Sequence, residues 1–352
     1  MQHFKYRVLL LIVFPILVSC QDSVNDTELI DAEWLIPTSE VYDGGPGKDG
    51  IPAITKPNFV NNDLIDFMDE NDLIIGIKID DQIRGYPHPI LDWHEIINDQ
   101  INENHFTITY CPLTGSAIGI DREVDGAITT FGVSGLLYNS NLIPYDRATN
   151  SNWSQMRMGC VNGELSGRDF DFISTFETDW KTWKTLFPNA LVVSSNTGYE
   201  RRYSLYPYGS YKIDESLYFP VSNLNNNLGL KERVHGIIEN DKVYAFRFNL
   251  FEERSKLLQK NIGGNSYLIV GSKADNFIVS FYNTLIEGTE LNFELVENSF
   301  PIILKDNEGN KWDIFGYAVS GIRKGHRLTP TKSLIAYWFA WGSFYPDISI
   351  IN

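Results

Sequence analysis

An internal repeat is the feature that most limits the folds open to this chain. Three pairs of segments match in the same order, at offsets of 158 to 160 residues. The pairs are 72–86 with 232–246, 146–153 with 306–312, and 183–188 with 341–346. In the first pair, Gly76 falls on Gly236. Ordered matches at a nearly constant offset predict a duplicated unit, so we expect two similar lobes.

Local patterns favour strands over helices in both lobes. Alternating apolar residues between turn residues predict a hairpin of strands at 73–79 and 82–86. Further strands are predicted near 106–110, 117–122 and 128–133, and short helices near 91–98, 179–187 and 334–344. We therefore predict the α+β class, mainly β, with two similar β-rich lobes from an internal duplication and a few short helices.

The predicted organisation has six parts. They are a lipoprotein signal peptide at 1–19, a tether at 20–32, an N-terminal turn-rich segment at 33–71, lobe 1 at 72–195, an aromatic-rich connection at 196–231 and lobe 2 at 232–352. Glycine and proline are concentrated at 43–54 and predict a loop with several tight turns. The connection carries six tyrosines. Because aromatic side chains need a surface to pack against, we expect the connection to be ordered.

The first twenty residues carry an export signal. Lys5 and Arg7 precede an apolar run at 8–18, which is shorter than the roughly twenty residues that span a bilayer. The sequence Leu17-Val18-Ser19-Cys20 resembles a bacterial lipobox, in which the cysteine is lipidated and becomes the first mature residue. We therefore predict a bacterial cell-envelope protein, periplasmic or surface-facing. Its partner is the lipid bilayer, reached through the lipidated Cys20.

Charge and composition exclude two broad classes of protein. The chain has 352 residues, of which 43% are hydrophobic and 21% charged. This composition is typical of globular proteins and unlike that of disordered chains. The net charge of −16 provides no attraction to a phosphate backbone, so no nucleic-acid partner is predicted.

Cysteine use marks a candidate site in lobe 1. Apart from Cys20, the chain has only Cys111 and Cys160, and the stretch of lobe 2 that corresponds to the surroundings of Cys111, 269–274, has no cysteine. A thiol where a strand ends in a turn can be a reactive thiolate, because free backbone N–H groups lower its pKa. Two other interpretations stay open, a buried cysteine that acts as a small apolar residue and a structural disulfide with Cys160.

Polar residues near Cys111 in the sequence are candidates for the rest of the site. Arg122 or His94 is a candidate to stabilise the thiolate. The candidate substrate-binding residues are Tyr138, Asn139, Asn141, Tyr145, Asp146, Ser154 and Gln155, although such residues also form turns. His94-Glu95 begins a zinc-protease pattern, but Asn98 replaces its second histidine. No metal site is therefore predicted, and no cofactor is identified.

Several long motifs resemble the DUF3179 family. They are Asp43 to Pro52, Tyr110 to Arg122, Phe131 to Arg147, Trp153 to Met156, and Ala336 to Pro346. The resemblance implies an exported protein with no established activity. Many family members have Cys-Pro-Leu-Cys where this chain has Cys111 to Thr114, and some are described as selenoproteins, which implies redox chemistry at Cys111. Thr114 replaces the second thiol, so the resemblance gives little support to an internal dithiol mechanism here.

These observations lead to three hypotheses for function. The first is an exported, lipid-anchored thiol-dependent oxidoreductase or transferase that uses Cys111 in a pocket between the lobes, with a small-molecule or thiol substrate. The second is a non-catalytic binding module for a small ligand or for a soft metal such as copper. The third is an envelope scaffold with a Cys111–Cys160 disulfide.

Overall fold

The computed structural model describes residues 33–251, 255–285, 288–289 and 291–352. The predicted signal peptide, the predicted tether and Cys20 lie outside the described residues. Residues 33–352 form one compact unit. None of the helices that the structure describes is long and apolar enough to cross a membrane.

The described chain is mainly β, as predicted. In the first half the strands are β1 Val41–Asp43, β2 Ile54–Thr55, β3 Phe59–Asn61, β4 Leu73–Ile79, β5 Gln82–Pro87, β6 Ile96–Ile101, β7 Asn104–Cys111, β8 Ser116–Asp121, β9 Glu123–Val124, β10 Ala127–Ile128, β11 Phe131–Tyr138, β12 Asn141–Asp146, β13 Asn152–Ser154, β14 Gly159–Asn162, β15 Phe172–Ile173, β16 Phe176–Asp179 and β17 Leu191–Val193. In the second half they are β18 Arg233–Glu239, β19 Lys242–Arg247, β20 Lys256–Ile262, β21 Asn265–Ser272, β22 Phe277–Tyr282, β23 Phe293–Leu295, β24 Ile302–Asp306, β25 Lys311–Asp313, β26 Ala318–Ser320, β27 Ser333–Tyr337 and β28 Ser349–Ile351.

The helices are short, and two of the predicted helices need new boundaries. They are α1 His88–His94, α2 Trp180–Leu186 and α3 Trp338–Phe344, with 3₁₀ turns at Thr38–Glu40, Asn62–Leu64 and Phe248–Leu250. The helix predicted at 91–98 in fact ends at His94, because Glu95 adopts a φ of 56° and β6 begins at Ile96. The first residues of the helix predicted at 334–344 belong to β27.

Two sheets, one in each half, hold the hairpins that match in the sequence. The first has the order β16-β4-β5-β17-β3 and the second β27-β18-β19-β28. In each sheet, the strand that precedes the helix in the chain, β16 or β27, is antiparallel to the first strand of the hairpin. The strand that follows the helix, β17 or β28, is parallel to the second strand of the hairpin. A Cβ atom on Gly76 would lie 2.4 Å from the Trp183 ring, and one on Gly236 would lie 2.4 Å from the Trp341 ring. Glycine is therefore required at both positions because a buried indole of α2 or α3 packs directly on the strand.

The remaining strands form two larger sheets in each half. The orders are β15-β8-β7-β6-β2, β20-β21-β22, β1-β11-β12-β13-β14 and β23-β24-β25-β26, with a separate β9-β10 pair. The Trp153 indole donates to Asp146 at 3.1 Å, and the Trp312 indole donates to Asp306 at 2.9 Å. These bonds give both buried indole N–H groups a partner and fix corresponding bends between strands.

The aromatic-rich connection packs between the halves, as its tyrosines predict. The buried Tyr211 belongs to the largest apolar cluster, which also contains Cys111 of the first half and Trp338 of the second. The hydroxyl of Tyr211 donates to the backbone oxygen of Leu113 at 2.9 Å. The connection therefore covers the end of β7, where the predicted site lies.

Candidate functional site

Cys111 lies at the last position of β7, opposite Ser116 of β8. Its side chain is 1% exposed, and its Sγ is 3.6 Å from the backbone oxygen of Ser140. Burial raises the pKa of the Cys111 thiol to about 11, and the nearby Glu95 carboxylate raises it further in the same direction. The expectation of a thiol with a lowered pKa is therefore wrong for this structure. At neutral pH the group is a protonated, enclosed thiol and a poor nucleophile.

Cys160 does not bond to Cys111. Both cysteines are free and buried, which contradicts the disulfide of the scaffold hypothesis. The Cys160 thiol donates to the backbone oxygen of Asn152 at 3.3 Å, and burial raises its pKa to about 11. Within the described ranges, no three His, Cys, Asp or Glu side chains form a group that could hold a metal ion.

Two predicted substrate-binding residues, Asn141 and Gln155, meet in a buried hydrogen-bond network. The Asn141 amide donates to Thr114 at 2.8 Å and to Gln155 at 2.8 Å, and Ser116 donates to Gln155 at 2.6 Å. The Gln155 amide donates to the Thr109 hydroxyl at 3.0 Å. These bonds link the β7–β8 turn to β12 and to the residue after β13 beside Cys111, while the buried Asn141 Oδ1 has no hydrogen-bond partner among the described residues.

The other predicted substrate-binding residues hold loops and strands in place. The contacts are Tyr138 against the Phe344 ring, Asn139 Oδ1 accepting from Ser222, the Tyr145 hydroxyl donating to Asp49, Asp146 accepting from Trp153 and Thr149, and Ser154 Oγ accepting from the Arg157 N–H. The Tyr145 bond, at 2.5 Å, ties the glycine-rich loop at 43–54 to β12. Each of these residues therefore has a structural partner of its own.

His94 and Arg122 contact groups other than Cys111. His94 shares hydrogen bonds with the Pro52 oxygen at 2.7 Å and with the Tyr203 hydroxyl at 2.8 Å. Arg122 donates to the backbone oxygens of Thr129 and Asp99 at 2.8 and 2.9 Å. Their hydrogen bonds tie strands and loops together, and the proposed role in stabilising a thiolate has no support in these contacts.

A cavity of about 370 Å³ opens beside the Cys111 turn. The loop at 43–54, strand β11 and the connection form most of its wall. Most of the lining is apolar or aromatic, and it includes Ile51, Leu113, Val133, Leu137, Tyr208, Tyr218 and Phe219. A concave, mainly apolar site with few polar groups is the usual form of a small-molecule site.

Glu95 is the one acidic residue in the described lining of this cavity. It follows α1, and its backbone oxygen accepts from the Tyr110 N–H at 2.7 Å, which places it next to β7. The residue is 7% exposed, and burial raises the pKa of its carboxyl to about 7. Among the described residues its carboxyl has one hydrogen-bond partner, the Tyr208 hydroxyl at 3.4 Å, and no ion pair. A buried carboxylate without a cation is costly, so a ligand with a positive charge would supply the missing partner.

Sequence patterns do not identify Glu95, or the aromatic side chains Tyr208, Tyr218 and Phe219, as residues that line a cavity. In the sequence, Glu95 belongs only to the failed zinc pattern, and Tyr208 and Tyr218 are two of the six tyrosines of the connection. A charged residue directly after a short helix of buried residues is the available signal. It becomes informative only once the fold shows that no basic side chain of the described residues pairs with it.

Sheet order and cavity together describe a mainly β protein with one acidic residue, Glu95, in the described lining of a largely apolar cavity. The model of the DUF3179 family, described as a protein of unknown function, matches residues 48–348. The chain belongs to this family. No curated protein and no solved structure matches it.

Proposed function

We propose that this protein is a lipid-anchored component of the bacterial cell envelope that binds a small organic cation in the Glu95 cavity. The observation that carries the proposal is the buried Glu95 carboxyl, which has no cationic partner among the described residues and lines an apolar and aromatic cavity of about 370 Å³. Thiol-dependent catalysis is the weaker hypothesis, because Cys111 is buried and its pKa is raised to about 11. The proposal therefore follows the binding-module hypothesis.

The chemistry of the cavity favours an amine or ammonium group on an apolar body. A cationic head gains a charge-assisted hydrogen bond or ion pair with the Glu95 carboxylate. The rings of Tyr208, Tyr218 and Phe219 line the same cavity, and aromatic faces attract organic cations. The net charge of −16 also attracts cations to the protein as a whole.

Binding of phenethylammonium tests this function, with 2-phenylethanol as a neutral analogue of similar shape. At pH 8 we expect wild-type protein to bind the amine about ten- to a hundredfold more tightly than the alcohol, since hydrogen bonds to charged groups contribute about 1.5–3 kcal/mol. Glu95→Gln should remove this preference and leave alcohol binding unchanged. Isothermal titration calorimetry gives all four affinities.

Glu123→Gln is the matched control, because Glu123 is an exposed acid on β9 outside the cavity lining. It should retain the wild-type preference for the amine. Equal affinity of wild-type protein for amine and alcohol, or an amine preference that survives in Glu95→Gln, would contradict the proposal.

Membrane attachment rests on the lipobox-like sequence at Cys20. We expect the wild-type protein, expressed with labelled palmitate in a bacterial host, to carry the label and to partition with membranes. Cys20→Ala should carry no label and should appear in the soluble fraction. Unlabelled wild-type protein in the soluble fraction would refute the anchor without affecting the ligand proposal.

We also propose that the two halves arose by duplication of one β-rich unit. Matching sheet orders, the Gly76–Trp183 and Gly236–Trp341 contacts and the two Trp–Asp bonds support this origin. Under this correspondence, Cys111 at the end of β7 falls on Ser272 at the end of β21. Helix α1, which precedes Glu95, falls on the 3₁₀ turn Phe248–Leu250. The helix end that positions Glu95 therefore falls on a 3₁₀ turn, and not on an α-helix, in the second half.

A further inference from the structure

A second cavity, of about 260 Å³, lies where both halves and the connection meet. His88 and Tyr110 come from the first half, Lys212 and Lys231 from the connection, and Arg233 and Tyr337 from the second half. The cavity of Glu95 has none of these residues in its lining. The two cavities are therefore separate sites.

The lining of the second cavity is rich in basic groups, although the chain as a whole is strongly acidic. Lys212, Lys231 and Arg233 line it, and Asp72 is the one acidic residue in the described lining. The Lys231 side chain is 5% exposed, so this ammonium is held inside the protein. Basic groups on the wall of a cavity favour an anionic occupant.

Each of the three basic groups is held in position by an acidic residue outside the cavity lining. Lys212 pairs with Asp92 at 2.9 Å, Lys231 pairs with Asp214 at 3.3 Å, and Arg233 pairs with Glu177. The acids Asp92, Asp214 and Glu177 are not part of the lining. Lys212 also lies over the Tyr206 ring at 4.0 Å. The basic groups are therefore pre-organised, which lowers the entropy that a ligand must overcome.

Several hydrogen-bond donors of the second cavity have no partner among the described residues. The buried Nε of Arg233 has none. No described group accepts a hydrogen bond from the Tyr110 or Tyr337 hydroxyl, and both tyrosines are buried. Burial raises the pKa of both phenols, so they are neutral donors at physiological pH. A buried donor without a partner, such as Arg233 Nε, is uncommon and indicates a missing acceptor.

We propose that this second cavity binds the oxyanion head of a small molecule, a carboxylate or a phosphate group. Lys231 and Arg233 provide charge, and the hydroxyls of Tyr110 and Tyr337 donate hydrogen bonds to the anionic oxygens. Because the lining comes from both halves and the connection, the anion holds the two halves together. This site does not depend on the function proposed for the Glu95 cavity.

Titration calorimetry with inorganic phosphate and with succinate, in low-salt buffer, tests the anion site. We expect saturable one-to-one binding of at least one of the two anions by wild-type protein, and the stronger binder identifies the head group. Tyr110→Phe removes one hydroxyl and no hydrogen bond to a described residue, so the fold should be kept. It should weaken anion binding about tenfold or more, and Lys231→Met should weaken it at least as much.

Tyr244→Phe, on β19 and outside the lining, is the matched control and should keep the wild-type affinity. Tyr110→Phe should also keep its affinity for phenethylammonium, which separates this site from the Glu95 cavity. No saturable binding of either anion, or wild-type affinity in both Tyr110→Phe and Lys231→Met, would overturn the anion site and leave the cation proposal intact.

Discussion

Wild-type protein should lose about 3 kcal/mol of unfolding free energy, relative to the Glu95→Gln variant, as the pH rises from about 4.5 to 8. The pKa of Glu95 is about 7 in the folded protein, against 4.5 for an ordinary glutamate. A carboxyl whose folded pKa is raised stabilises the fold fully below its unfolded pKa, and that contribution is lost as the pH rises through the folded value. A difference of about 2.5 pKa units corresponds to about 3 kcal/mol at 1.36 kcal/mol per unit.

Urea unfolding in steps between pH 4.5 and pH 8.5 measures this effect. Glu95→Gln should lack the decline, because the amide keeps the shape of the protonated acid and cannot ionise. The decline should end at about pH 8, since Glu95 is then almost fully ionised in both states. Glu123→Gln, at an exposed site, should follow the wild-type curve. Parallel curves for wild-type protein and Glu95→Gln would show that Glu95 ionises normally.

Gly76→Ala and Gly236→Ala should each destabilise the protein by about 2–3 kcal/mol or prevent folding. The new methyl group would lie 2.4 Å from a fully buried indole in each half, Trp183 or Trp341. Neither indole can move away, because the surrounding core is close-packed, and overpacking of a core typically costs about 1–3 kcal/mol. Similar costs in both halves are what a duplicated Gly–Trp contact predicts.

The midpoint of urea unfolding gives the comparison. Gly229→Ala is the control, because a Cβ atom there meets nothing within 4 Å. It should change the free energy of unfolding by less than about 0.5 kcal/mol, as is usual for surface substitutions. If Gly76→Ala and Gly236→Ala cost as little as Gly229→Ala, the indoles do not pack against these strands as described.

Local sequence patterns predicted the strands better than the site. The hairpin at 73–86 and the glycines that match across the two halves are local features, so alternation and repeat spacing were sufficient to predict them. The end of α1 was misplaced because the backbone turns at Glu95, a residue type that rarely adopts positive φ. Nothing in the surrounding residue types signals that turn.

The chemistry of the site depends on burial, which a sequence does not display. The strand-to-turn position of Cys111 suggested a stabilised thiolate, but desolvation outweighs the turn amides and raises the pKa of the thiol. Asn141 and Gln155 suggested ligand contacts, but the fold brings them together so that the Asn141 amide donates to the Gln155 oxygen. The polar residue that does lack a charged partner, Glu95, is recognisable only when its neighbours in three dimensions are known.

The pH dependence of phenethylammonium binding, in wild-type protein and in Cys111→Ser, tests the central claim most directly. If the ionised Glu95 carboxylate receives the cation, affinity should rise about tenfold per pH unit below pH 7 and level off above it. Cys111→Ser should give the same profile, because the thiol takes no part. A wild-type affinity that does not change between pH 5 and pH 8.5, or loss of binding in Cys111→Ser, would contradict the account.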